Sequence, residues 1–425
     1  MNKRFSTFLT SCILLSLSSA SHADSSNSKS DNVRPQKPHK AQYNNDEGIA
    51  GPSSTTGLLE VDDEVKDPIF HFPAIDNTLK PWFDFKAKVY EDTGLQFGFA
   101  YTTLYQSISE SLTNNDDGAS GIFRFSGKWE LVNRGEDNMG YLVFSLDNRS
   151  SYSDVPPNAL GSEAGYVGQT GTLFGDQDTL LGDLYYVQKF NYGDAALVIG
   201  RYDPNDFFNV LGYANPWTTF QNLSLLNDTT IAIPDWGTGI GLGTWVNDHW
   251  YIKGSVSDAN GVASESDFNF DTDELYKTAE MGWSPSKDVR YLSNVHVMVW
   301  QVDERPDAGI ASSDGVVIGA NWTWNEEYML FSKIGLSDSP NAAQFAEKSY
   351  TLGGLYRARH QADLLGLAIN YSEMNGGGEQ TVTELFYRLQ LAQNFAITPS
   401  IQFIQDPVGN NEDVNVFGLR MRLTL

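Results

Sequence analysis

The sequence predicts an all-β chain, a sixteen-stranded antiparallel transmembrane β-barrel. Three observations predict it. From Trp82 onward, segments of about ten residues alternate apolar and polar side chains, with turn residues between them. The connections between these segments alternate long and short. The last segment, Val414 to Leu425, puts Phe417, Leu419, Met421, Leu423 and Leu425 on one face and Val416, Gly418, Arg420, Arg422 and Thr424 on the other. A strand's side chains have period two, so one face suits lipid and the other, with its arginines, suits water inside a barrel. A terminal strand of this kind is expected to close on the first.

The N-terminus points to export. Lys3 and Arg4 precede an apolar run from Phe8 to Leu17, and Ser21-His22-Ala23 forms a small-x-small cleavage site. Residues 1–23 read as a secretory signal peptide. Its apolar core is shorter than the about 20 residues needed to span a bilayer. The single cysteine, Cys12, lies within it, so the mature chain is expected to have no disulfide or thiol chemistry.

Mean hydropathy is −0.34, which resembles a water-soluble protein, but alternating strands give the same value. Aromatic residues make up 13% of the chain, and with 38 glycines they favour strands over helices. The formal net charge is −26, and two positive charges leave with the signal peptide. That excludes nucleic acid as an expected partner. Acidic stretches such as Asn114-Asn115-Asp116-Asp117 and Asp267 to Glu274 read as solvated loops; they could also repel anions near a pore mouth.

In chain order, residues 24–80 form a polar extension with several prolines and no sustained period, expected to be flexible. A second reading folds it back on the barrel through Ile69-Phe70-His71-Phe72. Residues 81–425 are the expected barrel. Its strands are read as Gly94–Ile108, Ile122–Val132, Gly140–Arg149, Thr179–Phe190, Asp194–Asp203, Gly237–Val246, His249–Asp258 and Glu274–Trp283. The second half is read as Leu292–Val302, Asp314–Trp324, Glu327–Leu336, Lys348–Ala358, Asp363–Glu373, Thr381–Leu391, Phe395–Gln405 and the terminal strand. Long or acidic connections are expected after every odd strand, including the thirteenth. Short ones, such as Asn191-Tyr192-Gly193, Asn247-Asp248 and Asn325-Glu326, follow even strands, those after the second and eighth being somewhat longer. Outer-membrane barrels sort their connections this way, with both termini in the periplasm.

Barrels of this size leave an aqueous channel rather than a packed core. Passive diffusion of small hydrophilic solutes is therefore the expected activity. If Phe123, Phe125 and Trp129 meet lipid, Arg124, Ser126, Lys128 and Glu130 point inward. The same logic turns Asp147, Arg149, Arg201, Asp203 and Lys253 inward, then Arg357, Arg359, Glu384, Arg388, Arg420 and Arg422. These charges either pair off as ladders that keep the wall wet, or set a field and planar donors that select solutes. The longest loop, Pro204 to about Trp236, holds Phe207, Phe208, Tyr213, Trp217, Phe220 and Trp236. Folded inward it would narrow the pore and offer aromatic faces to the apolar C–H faces of sugars; alternatively those rings pack the loop to the wall. Trp250, Trp283, Trp322, Trp324 and Tyr328, near strand ends, read as interface girdles.

The histidines are scattered, and no Gly-x-Ser-x-Gly, His-Glu-x-x-His or phosphate-cradling loop appears, so the chain is not expected to be an enzyme, and no cofactor or metal is called for. The expected partners are outer-membrane lipid and small sugars or other small solutes, with a homotrimer as the candidate assembly.

Two stretches resemble a known family. They are Leu184 to Phe190 with Leu197 to Phe207, and Ile397 to Gly409 with Phe417 to Leu423; Phe220-Gln221-Asn222-Leu223 fits the loop between them. They resemble the carbohydrate-selective porins of the OprB type. The resemblance implies a channel of the Gram-negative outer membrane for sugars and other small solutes, narrowed by inward loops with charged and aromatic residues. Matching positions would be Arg201, Asp203, Asp206 and Phe207. The chain departs from common outer-membrane practice in ending at Leu425 rather than Phe, and its long polar extension is not carried over from the family. A general or cation-preferring porin, motivated by the net charge, is the alternative.

Overall fold

The computed structural model describes residues 50–425 except 213–214, 339–342, 360–361 and 411. The expected signal peptide, and the extension up to residue 49, lie outside the described residues, as does Tyr213.

The first eight strands are β1 (Leu95–Ile108), β2 (Asp117–Val132), β3 (Gly140–Ser151), β4 (Gln177–Phe190), β5 (Ala195–Tyr202), β6 (Gly237–Trp245), β7 (Trp250–Asp258) and β8 (Leu275–Trp283). The rest are β9 (Asn294–Val302), β10 (Ser313–Trp324), β11 (Tyr328–Asp338), β12 (Ala346–Ala358), β13 (Asp363–Met374), β14 (Glu379–Ala392), β15 (Phe395–Gln405) and β16 (Val414–Thr424). Each pairs antiparallel with its neighbour in sequence, and β16 pairs with β1, closing the ring. The closing register runs from Ala100↔Thr424 to Ile108↔Val416. Phe99 and Leu425 extend it by exchanging backbone hydrogen bonds of 3.0 and 2.8 Å. Among the described residues no helix is long and apolar enough to cross a membrane.

Alternation places the faces as expected. Arg124, Ser126, Lys128 and Glu130 are buried in the lumen, while Phe123 and Trp129 are exposed outside. Val295, Val297 and Val299 on β9, and Leu365, Leu367 and Ile369 on β13, face outward in the same way. The loop parity holds except after β8, whose connection 284–293 is ten residues long, and after β13. The connection after β13 is the four-residue turn 375–378 and not a long loop. Gly376, Gly377 and Gly378 there have φ of 85°, 97° and 90°, a left-handed run open to glycine. The two longest connections are 152–176 and 203–236, at the end opposite the short turns. Each carries one short α-helix, α3 (Leu160–Glu163) and α4 (Leu223–Leu226), and the second also has a 3-10 turn at Pro204–Asp206.

Residues 50–80 differ from the flexible extension expected from their composition, and residues 81–93, expected within the barrel, are helical rather than part of it; the barrel begins at β1. Residues 50–93 hold two helices, α1 (Thr55–Asp63) and α2 (Pro73–Thr93). Ser54 caps α1, its hydroxyl accepting the Gly57 N–H at 3.2 Å. Leu58 is buried against Leu104, Ile122, Phe174 and Trp217, so α1 lies inside the barrel. Burial of its few apolar residues, rather than length or propensity, is what holds a nine-residue helix. Beyond it the chain crosses the short-turn mouth. Ile69 and Phe70 donate backbone hydrogen bonds of 2.9 Å to Gln390 and Leu391 at the end of β14, which is the fold-back that the Ile69–Phe72 stretch suggested. Pro73 opens α2 at a position where its missing N–H costs nothing. Gly94, at φ 78°, ends α2 and turns the chain directly into β1.

Leu352 sits midway along β12 on the outer face and is exposed. Leu352→Arg is expected to destabilise the barrel by about 2–4 kcal/mol, measured by urea unfolding in lipid vesicles. Charging the inward neighbour Thr351 is expected to cost less.

Candidate functional site

The lumen is crossed by the 203–236 loop, and wall side chains hold it by its backbone. Glu384 on β14 accepts the Gln221 and Asn222 N–H groups at 2.8 and 2.9 Å. Arg420 on β16 donates to the carbonyls of Pro216 and Thr219 at 3.1 and 2.9 Å. Lys333 on β11 donates to the Asn227 carbonyl at 2.6 Å. Lys253 on β7 donates to the Phe207 carbonyl and pairs with Glu280 on β8 at 3.0 Å, while Glu280 accepts the Asn209 N–H at 2.8 Å. Charged hydrogen bonds contribute about 1.5–3 kcal/mol each, enough together to keep a long loop inside the pore. Apolar packing adds to this: Phe220 meets Phe331 and Phe386 at 6.0 and 4.9 Å between ring centres.

Beside the loop, the wall of β2, β3 and β4 carries a charge ladder. Arg124 lies 3.6 Å from Asp147 and 3.3 Å from Asp183, and donates to the Thr55 hydroxyl of α1 at 2.8 Å. Arg149 donates to Asp147 at 3.0 Å. Two loop tryptophans face these arginines. The Arg124 guanidinium stands 4.7 Å from the Trp217 ring centre, and that of Arg149 stands 5.0 Å from Trp236. Arg422 approaches Trp217 at 5.8 Å and donates to Asp62 of α1 at 2.6 Å. The Trp236 indole N–H donates to Asp183 at 3.0 Å. Guanidinium over indole is favourable by about 0.5–2 kcal/mol, so each ring is aligned by charge.

The structure gathers some of the residues singled out from sequence and separates others. Arg124, Asp147 and Arg149 form the ladder, and Arg422 reaches it through Trp217. Asp203 and Asp206 lie in the loop; the Asp206 carbonyl accepts the Gly51 N–H at 2.6 Å, tying the loop to the segment before α1. Phe207 packs edge-on against Tyr185 and Tyr202 at 5.7 and 5.1 Å, fastening the loop to the wall. Lys128 faces Tyr141 across 4.8 Å, nearer the short-turn mouth. Arg201 donates to the carbonyls of Leu181, Val262, Glu265 and Asp267, so it staples the 259–274 connection. Arg357, Arg388 and Arg359 stand at the short-turn end. Arg359 lies in the turn after β12 rather than on a strand, with both Asp363 oxygens at 2.9 and 2.8 Å and the Asp67 carbonyl at 3.1 Å.

Asp183 is the member that sequence reasoning missed. It accepts from Thr55, Ser145 and Trp236 at 2.6, 2.9 and 3.0 Å, besides Arg124. Asp183 has the inward parity of Tyr185, Val187 and Lys189, and beyond it the pairing of β3 with β4 slips between Phe144↔Leu184 and Leu146↔Leu181, a bulge after which Leu180 is the buried residue. That parity was the available signal, and a glycine inside the strand, Gly182, marks the bulge. A Cβ there would sit 2.7 Å from the Ser145 hydroxyl and 3.3 Å from the Trp236 ring.

A closed sixteen-stranded barrel with an inward loop and a charged, aromatic wall is an outer-membrane porin. The family model for carbohydrate-selective porins, OprB family, matches residues 144–310 and 352–425, and the chain belongs to that family. It is a passive channel for carbohydrates in the bacterial outer membrane. The high-pH structure of OprB from Pseudomonas putida is similar, with a TM-score of 0.65 and 15% identity, covering 81% of this chain and 97% of that one. The low-pH structure of the same protein gives 0.50 and 13%, covering 81% and 96%. A triple mutant of the Rhodopseudomonas blastica porin gives 0.50 and 12%, covering 78% and 100%. No curated protein sequence matches.

Three loop carboxyls stand close to the ladder. Burial pushes Asp203 up to about 7, and Asp235 nearby adds to this. Asp206 is raised by burial and then by Asp203 and Asp183, with Arg124 opposing. Burial also raises Asp235, against Arg149 and Arg201. A carboxyl with a raised folded pKa favours the folded loop while protonated. That advantage is lost as pH climbs from the ordinary 3.8 toward about 7, and is constant above. Raising the pH from 5 to 8 is therefore expected to make the lumen more negative and shift the reversal potential in a KCl gradient toward cations. Asp203→Asn is expected to shrink that shift.

Proposed function

We propose that solutes are selected where the Arg124–Asp147–Arg149 ladder meets Trp217 and Trp236. The observation that carries this reading is the stacking of two guanidinium groups on two loop indoles beside the carboxylates of Asp147 and Asp183. A sugar has hydroxyls that can accept from planar donors, hydroxyls that can donate to carboxylates such as Asp147 and Asp183, and C–H faces that suit indole. A zwitterion of similar size lacks the apolar face. Arg201, Arg357, Arg359 and Arg388 have local structural partners or lie at the rim in this reading, so the field at the path comes from the ladder, Arg422 and the loop carboxyls. Those loop carboxyls support a second reading, a cation-preferring porin without sugar selectivity. A homotrimer remains part of the proposal, to be read from crosslinking in native membranes.

Liposome swelling separates the two readings. Trp217→Ala and Arg124→Ala are each expected to slow mono- and disaccharides severalfold relative to amino acids of similar size. Equal slowing of both solute classes would favour the unselective reading. Because α1 shares the lumen with this path, deletion of residues 24–63 is expected to enlarge the single-channel conductance step; an unchanged step would place the path away from α1.

A further inference from the structure

We propose that α2 is an interfacial anchor that lies in the periplasmic leaflet of the outer membrane, with phospholipid covering its exposed apolar face. A turn of 3.6 residues divides α2 into three faces. Leu79, Phe83 and Lys86 turn toward the barrel rim. Asp76, Lys80, Asp84, Lys88 and Asp92 gather on a polar side, where Lys80–Asp84 and Lys88–Asp92 pair at 2.5 and 2.9 Å. Ile75, Trp82 and Phe85 share the third side, and Phe70 and Phe72 lead into it. Of these, Phe70, Phe72, Ile75 and Phe85 are exposed. An aromatic face opposite a charged one, on a helix of low overall apolarity, is the pattern of a helix lying in a membrane boundary.

Two observations name lipid as the occupant. The third side is continuous with the lipid-facing belt of the barrel. Trp82 contacts Phe97 and Phe99 on the outside of β1, each at 5.9 Å, and Phe99 stacks on Phe125 at 4.8 Å. The helix is also level with the aromatic girdle at the short-turn end. The Trp129 indole N–H donates at 3.1 Å to the carbonyl of Thr93, the last residue of α2. Trp283 and Trp322 stack at 6.4 Å at the same end of their own strands. Tryptophan at that level marks the boundary between hydrocarbon and headgroups.

On its rim side α2 reaches the pore. Lys86 is buried and pairs at 2.8 Å with Asp63, the last residue of α1. The anchor therefore holds the foot of the helix that occupies the lumen. Conductance can persist whether or not α2 touches lipid.

The mature chain is free of cysteine once Cys12 leaves with the signal peptide, so single labels are straightforward. Ile75→Cys, Phe85→Cys and, on the polar side, Asn77→Cys are each labelled with an environment-sensitive nitrobenzoxadiazole dye. The full mature chain is then folded into phosphatidylethanolamine–phosphatidylglycerol vesicles and its folding scored by conductance steps. At positions 75 and 85, blue-shifted emission is expected, with quenching by a phospholipid nitroxide at acyl carbon 5 at least twofold stronger than at position 77. Aqueous iodide is expected to give the reverse order. Equal iodide quenching at all three positions, without nitroxide quenching, overturns the proposal. Self-quenching at 75 and 85 that grows with protein-to-lipid ratio also overturns it, since a second copy would then cover the face.

Discussion

Every feature of this molecule depends on the backbone pairing of β1 with β16. In hydrocarbon no water is available to a bare N–H or carbonyl, so a sheet can cross only if it has no edge. The exchange between Phe99 and Leu425 carries the pairing to the final residue. Closure also fixes which side chains face water. Once the ring exists, strand parity sends Arg124, Asp147, Arg149, Arg420 and Arg422 into one enclosed space, whatever they go on to do there.

Within that space the charges divide into two kinds of work. Glu384, Arg420, Lys333 and the Lys253–Glu280 pair address the backbone of the inward loop. The Arg124–Asp147–Arg149 ladder addresses side chains, among them two tryptophans that the loop carries to it. The sequence offered ion-pair ladders and solute-facing donors as alternatives. The structure contains both a ladder and a set of loop clamps, because a loop that crosses a wet lumen must find partners for its own peptide groups. Wall charge is the nearest supply.

Legibility from sequence follows the range of the interaction. Strand alternation and turn chemistry are local, and all sixteen strands lie within a few residues of where the pattern puts them; the main misplacement was the start of β2 at Asp117. The turn after β13 was misjudged because three consecutive glycines can serve a tight reversal as well as an open loop. Long-range placement was less readable. Asp183 shares the inward parity of Tyr185, Val187 and Lys189, but its partners Thr55 and Trp236 come from distant segments that no local pattern connects. Arg201 and Arg359 have the right parity or nearly so, yet their hydrogen bonds go to neighbouring backbone and to Asp363. The segment 50–63 looked flexible because its composition is polar and short of apolar residues, but Thr55 and Asp62 find buried charged partners and Leu58 finds a pocket. A polar stretch can be ordered when what surrounds it is a polar enclosure.

The position of α1 also sets an order of events in assembly. Its partners Arg124, Asp183 and Arg422 belong to β2, β4 and β16, strands at the two ends of the chain. No partly formed sheet holds them in one place, since β16 is the last strand to be made. The native contacts of α1 therefore need both ends of the chain in place. Gly94 keeps that requirement separate from the sheet: its left-handed turn ends the helix sharply, so the pairing of β1 does not depend on where the segment before it lies.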